Sequence, residues 1–282
     1  MNPISKLLAR LATHSALLVT VHAARGSVPR EVGAWMAVWE GGVIDTIGGG
    51  RLEWDAIAHA RALLAGTGKE PGPQPERVLY RLGPSLGQCC GGEVELQFER
   101  LSQADVPSLR ARLPAHEAPL ALFGGGHVGR ALVHVLSTLP LAITWIDSRD
   151  EIFPDGLTPG VVCEHSDPVQ AAVPALASGS CVLIMSFSHA EDLDIAAACL
   201  ARQRERGDLP YIGLIGSKTK WATFGHRLAV RGFSEQELQQ VHCPIGVPGI
   251  EGKAPEVIAV AVAAQLLQSN PAIDAVPSLR TK

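Results

Sequence analysis

Apolar positions follow two rhythms along the chain. Up to about residue 100 they alternate or cluster in short runs broken by glycine. LLVTVHAA (Leu17–Ala24) is a strand candidate. AWMAVW, then EGG, then VIDTIGGG (Ala34–Gly50) reads as a β-hairpin turning on glycine. Leu52, Ile57, Ala60, Leu63 and Leu64 then recur at helical spacing, with Gly66 as terminator. RVLYRL (Arg77–Leu82) and EVELQFE (Glu93–Glu99) are two more strands, the second alternating cleanly. Ahead of all these, MNPISKLLARLATHS reads as a short helix. Lys6, Arg10 and His14 interrupt it, and Ala16–Val21 is too short for a signal core or a membrane span.

Beyond residue 119 the rhythm changes. LALF, AITWID, VVCEH, CVLIMSF and YIGLIG are short apolar runs. Helical patterns over His127–Thr138, Pro168–Ala177, Glu191–Arg206 and Lys218–Arg231 lie between or after them, and a last helix starts at Pro255. Strands alternating with helices predict right-handed βαβ units and a parallel sheet covered on both faces. The fold class is therefore α/β: a small N-terminal α+β domain (1–100), then a Rossmann-like, doubly wound parallel-sheet domain (119–270). The Pro- and charge-rich stretch 101–118 reads as the linker, and 271–282 as a tail.

Composition narrows the classes of function. The 282 residues are 46% hydrophobic with a net charge of −4, so neither nucleic acid nor a membrane surface is an expected partner. With no export signal, a cytoplasmic location and reduced cysteines are expected. Cys163, Cys181, Cys199 and Cys243 are scattered and no C-x-x-C occurs, which argues against a zinc ribbon. Cys181 and Cys199 sit in apolar runs as small core residues.

Three clusters carry candidate chemistry. LALF runs into Gly124-Gly125-Gly126-His127-Val128-Gly129, a G-x-G-x-x-G in its required context of strand, turn and helix. Glycines there admit a pyrophosphate to the backbone, and the helix N-terminus favours its charge. The next strand ends in Asp147, placed to hold a ribose hydroxyl, with Arg149 two residues on for a 2′-phosphate. His189 and Asp192 after CVLIMSF, and Ser217 and Lys218 after YIGLIG, fall on the same carboxyl edge. Asp192 and Ser217 read first as helix caps. The second cluster is Gly48-Gly49-Gly50 with Glu53, an anion-friendly turn or simply a tight one. The third is GQCCGG (Gly87–Gly92). Adjacent thiols make a strained disulfide, so Cys89 and Cys90 are expected as free or transiently bonded soft donors, with Gly91 and Gly92 permitting unusual dihedrals.

On GSVPREVGAWMAV, TIGGGRLE, GQCCGGEVEL, LFGGGHVGRAL, WIDSRDEIFP, FSHAEDLD, YIGLIGSKTK and CPIGVPGIEGKAPEVIAVAVAAQLL, the chain resembles the xanthine dehydrogenase accessory protein family, XdhC/CoxI. The resemblance implies a chaperone that binds and protects molybdenum cofactor (molybdopterin), without turnover of its own. Beside a cysteine desulfurase, it would assist sulfuration and insertion of that cofactor into apo xanthine dehydrogenase or a related molybdenum hydroxylase of purine catabolism. Cys89 and Cys90 become candidates to contact molybdenum or the sulfur donor. The glycines at 48–50, 124–126 and 129 become candidates for the pterin phosphate or a nucleotide extension. The alternative is an NAD(P)-dependent oxidoreductase built on the same glycine loop and Asp147, with His127 or His189 handling a proton. A homodimer is the expected assembly.

Overall fold

A computed structural model describes residues 3–66, 75–83, 91–113, 117–157, 160–270 and 273. The chain forms two compact units, whose main bodies are Met1–Ala115 and His116–Ala275.

The first unit contains α1 (Pro3–Leu11), β1 (Ala16–Arg25), β2 (Trp35–Trp39), β3 (Gly42–Asp45), α2 (Gly50–Leu64), β4 (Glu76–Arg81), β5 (Glu93–Leu101) and α3 (Val106–Arg112). Its strands pair antiparallel in the order β3-β2-β1-β5-β4. One sheet face packs Leu17, Val19, Val21, Leu96 and Phe98 against Leu52, Ala56, Ala60 and Leu63 of α2. The other packs Leu18, Trp35 and Ala37 against Leu7 and Leu11 of α1 and Leu109 of α3. Both faces of central β1 are thus covered, which is why Ala16–Val21 is buried throughout and apolar but for Thr20, rather than alternating. Within 101–118, expected as a linker, α3 is a docked helix. Leu109 is fully buried, and Arg112 makes two 2.6 Å hydrogen bonds to Glu99.

The second unit contains β6 (Ala118–Phe123), α4 (His127–Leu136), β7 (Leu141–Asp147), β8 (Val161–His165), β9 (Cys181–Ile184), α5 (His189–Arg206), β10 (Tyr211–Leu214), α6 (Lys218–Val230), the single turn α7 (Glu235–Leu238), β11 (Val241–His242) and α8 (Pro255–Ser269). The six strands are all parallel, in the order β11-β10-β9-β6-β7-β8. Helices α5 and α6 cover one face through Ile195, Cys199 and Phe224. Helices α4 and α8 cover the other through Leu132, Leu136, Val262 and Leu266. Numbered by appearance, the strands run 3-2-1-4-5-6, the doubly wound dinucleotide-fold order. The switch point lies between β6 and β9, where the chain reverses its direction of travel across the sheet.

Pro168–Ala177, expected as an α-helix, is a 3-10 stretch over Val169–Ala175 with Pro174 inside it, where the ring removes an amide donor. Cys181 and Cys199 are fully buried core residues, and burial pushes the Cys199 thiol up to about 12. Among the described residues no helix is long and apolar enough to cross a membrane.

Candidate functional site

The glycine loop leaves β6 at the switch point. Gly124 has φ +122°, and a Cβ on it would lie 2.0 Å from the Met185 carbonyl oxygen beyond β9. A Cβ on Gly129 would lie 2.0 Å from the Gly124 carbonyl oxygen, so the first turn of α4 presses directly on the loop. The loop is fixed from the neighbouring strand as well. The Gly124 amide donates to Ile146 at 2.8 Å, and the buried Trp145 indole donates to the Gly124 carbonyl at 2.9 Å. Gly126, the residue before α4, has open space where a side chain would be, and His127 beside it is exposed. The loop is thus rigid beneath and open at the α4 N-terminus, where unpaired helix amides favour an anion.

Asp147 sits at the end of β7 as expected, but its carboxylate is engaged. Oδ1 accepts from the Arg149 amide at 2.9 Å and from Arg149 Nε at 2.8 Å. Oδ2 accepts from the Gly125 amide at 2.6 Å and an Arg149 terminal nitrogen at 2.9 Å. Four donors fill the four acceptor positions of a carboxylate. Burial alone pushes this carboxyl up, but the Arg149 guanidinium and the two amides outweigh it and hold it below its ordinary value. The Arg149 guanidinium in turn stacks over the exposed Phe187 ring, 4.5 Å from its centre. Ile152 closes over the loop: a Cβ on Gly125 would meet its side chain at 2.6 Å, and Arg130 ties the Gly125 carbonyl to that of Ile152.

On the other side of the switch point, Ser188 caps α5 by accepting the Glu191 amide, and Ser217 caps α6 by accepting the Lys220 amide. Lys218 and His189 are exposed. Asp192 is not a cap. Its carboxylate is buried, accepts from the Ser186 amide and hydroxyl at 2.8 and 2.7 Å, and pairs with Lys220 Nζ at 2.6 Å. Lys220 also donates to the Ile215 carbonyl. This buried pair ties the segment after β9 to α6 and the segment after β10.

The loop glycines 124–126 and 129, with His127, Asp147, Arg149, His189, Ser217 and Lys218, therefore share one sheet edge. Sequence reading missed Lys220, Ile152 and Glu191. The Glu191 carboxylate accepts from the Ser148 hydroxyl and the Phe187 amide, joining the β7 and β9 ends. The available signal was position: each lies within five residues of a strand-end residue already singled out.

The remaining candidates belong to the first unit. Gly48, Gly49 and Gly50 all have positive φ, and a Cβ on Gly48 would lie 2.3 Å from Pro29 Cβ. Glu53 reaches back from α2 to accept the Ile47 and Gly49 amides at 3.0 and 3.2 Å and the Thr46 hydroxyl. That carboxylate oxygen holds the turn together. Gly92 fits tightly, since a Cβ there would lie 2.5 Å from the Arg25 carbonyl oxygen, whereas Gly91 faces open space. Cys89 and Cys90 lie outside the described residues. Among the described residues no three His, Cys, Asp or Glu side chains gather as a metal site.

A model of the XdhC Rossmann domain matches residues 120–266. The chain belongs to the XdhC/CoxI family. A second model, described as the XdhC and CoxI family, matches residues 9–71, so family sequence runs through both units. The Escherichia coli K12 protein YqeB, itself described as uncharacterized, is 26% identical over 245 residues. The match takes in 86% of this chain but 41% of YqeB, so the XdhC member described here spans under half of that relative. A crystal structure from Bacillus halodurans, described as a xanthine dehydrogenase, superposes with a TM-score of 0.74 at 21% identity, covering 95% of this chain and 96% of that one. At that identity the likeness establishes a shared fold.

Proposed function

We propose that this XdhC-family chain is a maturation factor for a xanthine dehydrogenase or related molybdenum hydroxylase. Its cargo is molybdenum cofactor, which it shields and hands on after sulfuration by a cysteine desulfurase. The observation that carries this reading is membership of the XdhC/CoxI family through both units. The geometry supports it. An open, glycine-lined helix N-terminus suits the phosphate of a pterin cargo. Cys89 and Cys90 are soft thiolate donors of the kind that suits molybdenum or a sulfur donor. The chain acts in the cytoplasm as a homodimer and carries out no turnover.

Purified anaerobically from cells making the cofactor, the protein carries molybdenum and releases a fluorescent pterin on oxidation. Finding neither, under conditions where the client enzyme matures, overturns the reading. The strand order and glycine loop favour one rival, an NAD(P)-dependent oxidoreductase. Against it, the acid that would hold the ribose is saturated by Arg149, and Ile152 covers Gly125. A thermal-shift series with NAD and NADP separates the two, since a ligand that binds the native state raises the melting temperature.

A further inference from the structure

A cavity of about 160 Å³ opens at the carboxyl end of β10, and none of its lining residues belongs to the glycine loop. Drug-sized ligands occupy sites of roughly 300–1,000 Å³, so this smaller cavity suits a single ring system rather than a whole dinucleotide. Ile215 and Gly216 leave β10 to form one side, the segment from Ile245 to Gly252 forms a second, and Ile258 and Ala261 of α8 form a third. The frame is set in advance. Gln265 Oε1 accepts both the Tyr211 hydroxyl at 2.6 Å and the Gly246 amide at 2.7 Å, and the Val247 amide donates to Ala261 at 3.1 Å. Glycines pack tightly along the walls: a Cβ on Gly216 would meet Lys220 Cδ at 2.7 Å, one on Gly252 would meet Val257 at 2.6 Å, and Gly246 has φ +105°.

The lining is aliphatic and glycine except for one ionisable side chain, Glu251. No hydrogen bond or ion pair joins its carboxylate to any described residue. Aliphatic walls favour a flat apolar ring, and a lone carboxylate at the rim favours two neighbouring N–H donors on that ring's edge. The cavity lies on the half of the doubly wound sheet (β9-β10-β11) opposite the half that Arg149 and Ile152 close.

We propose that this cavity binds a fused heterocycle with a 2-amino-4-oxo edge, the edge shared by pterins and guanine, and that Glu251 accepts its ring N–H and amino N–H. Adenine is rejected because its ring nitrogen on the corresponding edge is an acceptor, which would face the carboxylate unpaired. The assignment rests on the cargo reading above and names the part of the chain that recognises the ring.

The test uses the full chain and four probes: pterin, GMP, IMP (which lacks the 2-amino group) and AMP. Affinities come from calorimetry and from pterin fluorescence. Pterin or GMP binds, IMP and AMP bind at least about tenfold more weakly, and Glu251→Gln weakens the favoured probe by about tenfold or more, as loss of a charge-assisted hydrogen bond requires. Ile258→Trp fills the cavity and blocks binding. Unchanged melting of Glu251→Gln, an exposed position, shows that folding is intact. Binding of pterin without GMP identifies the cofactor ring; the reverse identifies a guanine nucleotide. Three results overturn the assignment: no binding of either probe up to millimolar concentration, equal binding by Glu251→Gln, or AMP binding as tight as GMP. Molybdenum and pterin carried equally by wild type and Glu251→Gln would refute this cavity and leave the maturation role standing. Probe binding by a chain that never carries molybdenum would do the opposite.

Discussion

Replacing Arg149 with methionine keeps an aliphatic stem beside Phe187 but strips Asp147 of its cation. The Asp147 side chain is 1% exposed and that of Arg149 35%. Breaking a fully buried pair by removing one partner costs about 3–5 kcal/mol. Two features reduce that figure here. The guanidinium is partly screened by solvent, and Asp147 keeps the Gly125 and Arg149 amides as donors. The expected loss is about 2 kcal/mol, near the cost of leaving a charged group short of its hydrogen bonds. Urea unfolding, followed by the fluorescence of the chain's five tryptophans, Trp145 among them, measures it at pH 7. The sign of the pH dependence follows from linkage. The folded carboxyl lies below its ordinary 3.8, so the pair's stabilisation is complete above that pH and is lost as pH falls through the folded value. The gap between wild type and Arg149→Met therefore shrinks in acid. A variant within 0.5 kcal/mol of wild type at pH 7, or a gap that widens below pH 3.8, refutes this account of the site.

Other outcomes follow from the same geometry. Gly129→Ala, whose methyl would meet backbone at 2.0 Å, lowers stability by about 2 kcal/mol or more in thermal unfolding, while Gly126→Ala, with open space, stays within about 0.5 kcal/mol. Lys220→Met strands the buried Asp192 carboxylate and costs about 3–5 kcal/mol; a double-mutant cycle with Asp192→Asn shows strong coupling in denaturant titrations. Iodoacetamide at pH 8 leaves Cys181 and Cys199 of the folded chain unlabelled, because burial raises both thiols, and mass spectrometry finds them modified once denaturant is added.

Periodicity was enough for long elements and failed where contacts decide. The alternation of Glu93–Leu101 and the run of Leu17–Val21 reported how many sheet faces are covered, a local property of the sequence. Two-residue β11 has no period to read and exists only because β10 pairs with it. Helix α3 hid in a proline-rich stretch because Pro107 sits in its first turn, where a missing amide costs nothing. At the site, the residue types on the sheet edge were readable but their partners were not. Asp147 and Arg149 were each visible as ligand-binding groups, and only the turn after β7 makes them bind each other. Lys218 and Lys220 were equivalent in sequence. The pitch of α6, two residues on, swings the second inward to Asp192 and leaves the first in solvent.

Helix α8 has a consequence for the order in which the protein is made. It follows every strand in the chain, yet it packs beside α4 over Leu122, Leu183 and Tyr211. During synthesis those strands emerge with that face of the sheet covered only by α4, and the rest of it stays bare until Leu266 has been added. The first unit can bury both faces of its sheet once α3 has emerged, with Leu113 the last of its buried core residues. A nascent chain therefore passes through a stage in which the described core of the first unit has been synthesised while the second unit's glycine loop is backed by only part of its core, the interval in which apolar surface is most exposed to aggregation.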